Sequence, residues 1–156
     1  MNNTRAKLLL ICLLAIGFNA SWAEDAVEEA VEALPKINCT LTDKLSGDNA
    51  LAEKDTFPQD TAMIYFVCIS ADVKLGQHIK AVWVAADTND VAPANYSISE
   101  KSIDVTEKAD NEHEWAVKYS LSKPTASWPV GRYHVDLYLD NKLLQSTKFS
   151  IKASVS

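Results

Sequence analysis

The chain has 156 residues, with 15 basic and 21 acidic side chains and a formal net charge of −6. Nucleic acids and anionic membrane surfaces are bound through clustered Lys and Arg side chains, so this balance disfavours both as partners. The length suits one domain.

The first 23 residues have the features of a cleavable secretory signal. A positively charged start is followed by an uncharged apolar run, and small residues then stand at the −3 and −1 positions of a cleavage site before Glu24. The residues concerned are Arg5, Lys7, the run 8–18, Ser21 and Ala23.

A retained membrane anchor is the less favoured reading of this leader, because a bilayer-spanning helix needs about 20 apolar residues. A lipoprotein signal needs a small residue just before the cysteine that is modified. Here Ile11 precedes Cys12, inside the apolar run, so lipidation is not predicted. The leader resembles a bacterial export signal. That resemblance implies a periplasmic or secreted protein, with no membrane insertion after cleavage.

Cleavage changes both the charge and the cysteine count. Loss of the two leader cations takes the net charge from −6 to −8. Cys39 and Cys68 are then the remaining cysteines, and in an oxidising compartment they predict a structural disulfide. A redox-active pair is disfavoured because the Cys-x-x-Cys spacing is missing.

Residues 24–36 form an acidic, alanine-rich segment ahead of the domain. Its apolar residues have helical spacing, and Pro35 ends the pattern. So short a helix is marginal in water. The segment is therefore either a solvated linker or a short helix that docks on a partner.

From residue 37 onward, hydrophobic residues alternate with polar ones, which predicts β-strands. The segment 63–69 is continuously apolar and predicts a central strand buried on both faces. The segment 42–60 is long for a loop and predicts a packed surface loop or a short helix near 49–54. The predicted strands are 37–41, 63–69, 79–86, one or two within 96–105, 115–121, 133–139, and a last one containing Phe149 and Ile151.

The last hairpin allows its register to be predicted. Tyr133, Val135, Phe149 and Ile151 can share a buried face only if the numbers of opposed residues sum to an even value. A two-residue turn gives an odd sum. We therefore expect a three-residue turn at 140–142, or a β-bulge with the same effect.

Seven or eight short strands without a long helix predict an all-β sandwich. Residues 128–137, with the pattern Trp-Pro-x-Gly-x-Tyr-x-Val, and 147–151 resemble the last hairpin of bacterial Ig-like and macroglobulin-type domains. The resemblance implies an Ig-like antiparallel β-sandwich over 37–153, with Trp83 in the core and Tyr133 as a tyrosine corner. Both cysteines precede Trp83, so the disulfide is expected to join an early strand to the next.

The sequence contains no recognisable catalytic constellation. The nucleophile motif Gly-x-Ser-x-Gly is missing, and His78, His113 and His134 are predicted to be surface residues. His113 and Glu114 are adjacent in a strand, so their side chains point to opposite faces. No catalytic residue and no cofactor is therefore predicted.

Two patterns in the sequence have residue types that bind metals. His134 and Asp136 share a strand face and could bind a first-row metal, but further ligands are not identifiable. Residues 87–90 carry oxygen ligands but lack the glycine and glutamate of a calcium loop, which favours a polar turn. Glu24 stands where copper carriers and oxidative polysaccharide-cleaving proteins of this fold class have a histidine. No metal site is predicted.

The leading hypothesis is an exported, non-catalytic binding module that contacts a protein or an envelope component. The alternative is an accessory or structural subunit of a cell-envelope or secretion assembly, tethered by residues 24–36. An enzyme or a metal-binding protein is less favoured. The sequence identifies neither the partner nor the ligand-binding residues.

Overall fold

The computed structural model describes residues 33–106 and 114–154. The predicted signal peptide at 1–23, the segment 24–32 and His113 lie outside the described residues, so the expectations about them stay predictions. The described residues belong to one compact unit. No helix among the described residues could cross a membrane.

The described residues form ten strands and no helix, which confirms the all-β prediction. The predicted count of seven or eight strands is too low, because three of the strands have only two or three residues. The strands are β1 (Asn38–Thr42), β2 (Leu45–Ser46), β3 (Asn49–Ala50), β4 (Thr56–Pro58), β5 (Met63–Ser70), β6 (His78–Asp87), β7 (Tyr96–Asp104), β8 (Trp115–Ser122), β9 (Gly131–Leu139) and β10 (Lys142–Lys152). They make a three-stranded sheet in the order β1-β5-β8, a five-stranded sheet in the order β4-β10-β9-β6-β7, and a small hairpin of β2 and β3. All pairings are antiparallel except that of β4 with β10.

The inward-facing rows of the two larger sheets form one hydrophobic core. Trp83 on β6 is 1% exposed, as predicted, and its ring meets Phe66 of β5 edge-on at a centroid distance of 6.3 Å. Phe149 of β10 contacts the same indole at 6.1 Å. Such edge-to-face contacts add to the stabilisation from burying large rings.

The predicted disulfide is confirmed. Cys39 on β1 and Cys68 on β5 are directly opposed in the antiparallel register, with their Cα atoms 4.0 Å apart. The bridge thus joins the first strand of its sheet to the central one. Both cysteines are buried.

The prediction of a short helix near 49–54 is wrong. Gly47, at a φ of 61°, closes the turn of the β2–β3 hairpin instead, a backbone conformation that glycine adopts without steric cost. The backbone N–H of Lys54 then donates to the carbonyl oxygen of Leu41 at 2.8 Å. Backbone partners on β1 therefore replace those that a helix would supply.

The last hairpin uses the second of the two predicted solutions. Its turn has only two residues, Asp140 and Asn141, both at positive φ, so the three-residue turn is wrong. A bulge at Leu144 then shifts the register by one residue and sets Tyr133 opposite Phe149. The strand can therefore keep the tight turn and still bury both aromatic rings.

The remaining strand predictions hold in part. β5 is the central strand of its sheet, but on its outer row only Val67 is buried, and Met63, Tyr65 and Ile69 are half-buried. Of the one or two strands predicted within 96–105, the structure has one, β7.

Candidate functional site

The outer face of the five-stranded sheet has an apolar centre. Alternation along β6 turns Val82 and Val84 outward, opposite Asp136 and His134 of β9. Val84 is only 8% exposed, and Ala86 continues the row. We call Val82, Val84 and Ala86 the apolar stripe.

Next to the apolar stripe, toward β10 and β4, lies a groove of about 540 Å³. Strand pairing builds its floor, because Thr56 of β4 lies opposite Ser150 of β10, which lies opposite Arg132 of β9. We call this depression the β9–β10 groove. The residues of its lining that matter below are Asp55, Thr56, Asn95, Arg132, His134, Lys148 and Ser150.

Arg132 is anchored at one side of the groove by a carboxylate. Its Nη2 donates to Oδ2 of Asp87 at 2.7 Å, and its side chain is 76% exposed. This hydrogen bond, together with one from the backbone N–H of Asn89, lowers the pKa of Asp87 below its ordinary value. Asp87 is therefore ionised at neutral pH and holds the guanidinium at the rim.

His134 and Asp136 do share a face, as predicted, and they form a pair. Nε2 of His134 lies 3.3 Å from Oδ2 of Asp136, and the two side chains are 20% and 17% exposed. Lys148 of β10 lies opposite His134 and has no ion-pair partner within the described part of the chain. A histidine, a lysine and an arginine thus meet on two neighbouring strands.

Metal ligands do not gather here. Among residues 33–106 and 114–154, no three His, Cys, Asp or Glu side chains are close enough together to hold a metal ion. His78 lies on the surface, where its Nδ1 is 2.7 Å from Oδ1 of Asp104. His78 and His134 therefore pair with different carboxylates and do not form one site.

The segment 87–90 is a turn whose polar groups bond locally. Oδ1 of Asp87 accepts from the backbone N–H of Asn89 at 3.2 Å, while Oγ1 of Thr88 accepts from that of Ala92 at 3.0 Å. Asn89 and Asp90 both have positive φ. Since the Asp87 carboxylate also binds Arg132, the oxygen atoms of this turn do not converge on a common point.

Sequence reasoning missed the β9–β10 groove. One signal could have found part of it, because pairing Tyr133 with Phe149 also places His134 opposite Lys148. Arg132 is moreover the single arginine after the leader. Nothing in the sequence indicated that Thr56 and Asn95 would line the same groove, since neither is near these residues in the chain.

No protein-family model matches this chain, and no curated protein matches its sequence.

Several solved structures are similar to the chain at low identity. The alkylpurine DNA glycosylase AlkC of Pseudomonas fluorescens, bound to DNA containing an abasic site analogue, aligns at 11% identity and a TM-score of 0.43 over 78% of this chain and 32% of its own. A CARDB domain from Pyrococcus furiosus, in complex with di-metal ions, aligns at 8% and 0.41 over 77% and 96%. The PmoD soluble domain of Methylocystis aligns at 12% and 0.41 over 77% and 94%.

This chain thus spans about a third of the glycosylase. Identities and TM-scores this low carry no argument about what the chain binds or does.

Proposed function

We propose that this chain is an exported, non-catalytic binding module with an Ig-like β-sandwich fold. It binds a protein or an envelope component through the outer face of the five-stranded sheet. The observation that carries the proposal is the juxtaposition of the apolar stripe with the β9–β10 groove on that face.

The strand order and two side-chain positions support the Ig-like assignment. Sheets of the order β1-β5-β8 and β4-β10-β9-β6-β7 share a core around Trp83. The hydroxyl of Tyr133 donates to the carbonyl oxygen of Pro129 at 2.6 Å, which is the bond expected of a tyrosine corner. A fold of this kind hosts many functions, so the functional proposal depends on the site.

The composition of the face supports binding to a large partner. An outer sheet face in contact with water alone is expected to be polar, because apolar side chains gain by leaving water. Here the half-buried Val82 and Ala86, with the buried Val84 between them, form the centre, and charged residues such as Arg132 and Asp136 lie around it. An apolar centre with a polar rim is the usual anatomy of a protein interface.

Export and a non-catalytic role are supported by separate features. The leader and the buried Cys39–Cys68 bridge favour an oxidising compartment, since disulfides persist there. His78 and His134 each have a carboxylate neighbour, Asp104 and Asp136, on the sheet surface. Among the described residues, neither histidine is hydrogen-bonded to a serine hydroxyl or a cysteine thiol, the nucleophiles that acyl transfer uses.

Site-specific crosslinking in producing cells tests the proposal. A photoreactive amino acid is placed at Val82 or at Lys148, and at Tyr65 on the outer face of the other sheet as the control. We expect one discrete adduct from Val82 and Lys148 and none from Tyr65. The purified partner should then bind the mature chain, and Val82→Glu should raise the Kd at least tenfold while Tyr65→Glu leaves it unchanged. Equal crosslinking from all three positions, or none, would contradict the proposal.

A further inference from the structure

The β9–β10 groove has a chemical character that the proposed binding face as a whole does not. The chain is acidic, with a net charge of −6, and such a surface repels anions. Yet the groove collects the side chains of Arg132, His134 and Lys148. A local cluster of nitrogen donors is unexpected on an acidic protein, and it suits the binding of an anion.

The donors are incompletely used by the protein itself. Arg132 donates one N–H to Asp87, and a guanidinium has five N–H donors. Lys148 is exposed and has no ion-pair partner in the described ranges. The two side chains lie on adjacent strands, two register positions apart on the same face of the sheet. They are therefore placed to bind one group between them.

An uncharged amide extends the cluster, because Asn95 lines the same groove. The hydroxyls of Thr56 and Ser150 lie 3.2 Å apart on the floor, but Thr56 donates its proton to Oδ1 of Asp55 at 3.1 Å. Ser150 is therefore the donor in the bond between the two hydroxyls, and both protons are used within the protein. An amide beside an arginine is a common partner of oxyanions.

Three carboxyl groups lie in or near the groove, those of Asp55, Asp87 and Asp136. Asp87 is paired with Arg132, so those two charges offset each other, and Asp136 lies beside His134. Asp55 lines the far end, where its Oδ1 accepts the hydroxyl of Thr56 at 3.1 Å. An anion would therefore bind toward Arg132 and Lys148, and Asp55 would face a donor group of the same ligand.

From this arrangement we infer that the β9–β10 groove binds an oxyanion, a carboxylate or a phosphate, carried by the partner. Arg132 supplies the planar fork that binds two oxygen atoms at once, and Lys148 supplies a second positive charge. The groove, at about 540 Å³, is larger than a single such group, so the oxyanion belongs to a larger molecule. This inference rests on the proposed function and adds the chemistry of the ligand.

The test uses sodium phosphate and sodium succinate as probes of the mature chain, titrated at constant ionic strength with sodium chloride. Amide and arginine Nε–H chemical shifts are followed by nuclear magnetic resonance. We expect saturable shifts at residues 132, 134 and 148. Arg132→Gln with Lys148→Gln should weaken binding at least tenfold. The matched control, Lys101→Gln with Lys142→Gln, removes the same charge from exposed positions elsewhere on the sheet and should leave binding unchanged.

The probes separate the possible sources. Saturation by phosphate alone indicates a phosphate-bearing partner, saturation by succinate alone a carboxylate-bearing one, and saturation by both a site for either. Shifts that do not saturate would mean charge screening only and would overturn the inference. Binding that is weakened equally by the control substitutions at Lys101 and Lys142 would do the same. If neither probe binds while Val82 still crosslinks to one partner, the inference fails and the proposed function stands. If a probe binds and no partner crosslinks, the proposed function fails, and only the affinity of the groove for an oxyanion stands.

Discussion

The hydroxyl of Tyr133 donates a hydrogen bond to the carbonyl oxygen of Pro129, with the two oxygen atoms 2.6 Å apart. Tyr133 is 2% exposed, and its ring stacks on that of Phe149 at a centroid distance of 5.2 Å. One side chain therefore ties the start of β9 both to the turn before it and to β10.

Replacing this tyrosine by phenylalanine should destabilise the domain. Tyr133→Phe keeps the ring packing and removes one hydrogen bond, for an expected loss of about 0.5–1.5 kcal/mol in the free energy of unfolding. Urea denaturation followed by tryptophan fluorescence measures it. Tyr96→Phe, at a residue 52% exposed, is the control and should change little. Equal stability of Tyr133→Phe and the parent chain would mean that the bond contributes nothing.

Tyr119 should respond in the opposite direction. Its hydroxyl is buried and, among the residues described, has no hydrogen-bond partner. An unsatisfied buried hydroxyl is costly, so Tyr119→Phe should leave stability unchanged or raise it by about 1 kcal/mol. The same urea titration decides the matter, and a clear loss of stability would reveal a partner for this hydroxyl.

Both buried tyrosines predict a loss of stability at alkaline pH. Burial raises the pKa of Tyr119 and of Tyr133 from 10.0 to about 12. Above pH 10 the unfolded chain loses these protons while the folded chain keeps them, so the free energy of unfolding falls between about pH 10 and 12 and is unaffected below. Urea titrations at stepped pH should show a shallower fall in Tyr119→Phe, with Tyr96→Phe unchanged. Parallel curves for all three proteins would disprove the linkage.

The Cys39–Cys68 bridge should be a main source of stability. It closes a loop over a sequence separation of 29, and replacing both cysteines by alanine should cost roughly 2–5 kcal/mol. That is a large part of the roughly 5–15 kcal/mol expected for a domain. Thermal unfolding measures the loss, and thiol titration of the denatured, unreduced protein should find no free thiol. Two thiols per mature chain would show that the bridge does not form.

Gly131 should tolerate no side chain. A Cβ atom built there would overlap the carbonyl oxygen of Asp87 and come within 2.9 Å of the Cα atom of Thr88. Because backbone atoms cannot rotate away, Gly131→Ala should cost at least about 1–3 kcal/mol. Ser146→Ala, at an exposed position of β10, is the control. A Gly131→Ala protein with an unchanged melting temperature would show that β6 and β9 can separate at this point.

Processing between Ala23 and Glu24 remains a prediction from the leader. The exported protein should have an intact mass that corresponds to residues 24–156. Ala23→Asp should block cleavage, because the −1 position requires a small residue. A product that retains residues 1–23 would contradict the export prediction and would add Cys12 to the thiol count.

Several features of this fold could be predicted from residue order alone. The alternation of hydrophobic residues located the main strands and placed Trp83 and Tyr133 inside, because a period of two assigns each side chain to a face. Face matching also required Tyr133 to oppose Phe149. Whether a longer turn or a bulge achieves this was undecided, since both shift the register by one residue. The hairpin at 45–50 was missed because its strands are only two residues long.

The candidate site depended on tertiary structure. Thr56 and Ser150 are 94 positions apart in the chain and touch because β4 runs parallel to β10. Arg132 reaches Asp87 only because β6 pairs with β9. A local pattern determines which face a side chain takes, but not which distant strand lies beside it. That choice follows from packing the whole core. The longer strands and the disulfide could therefore be predicted from residue order, whereas the groove depends on the order of the strands in the sheet.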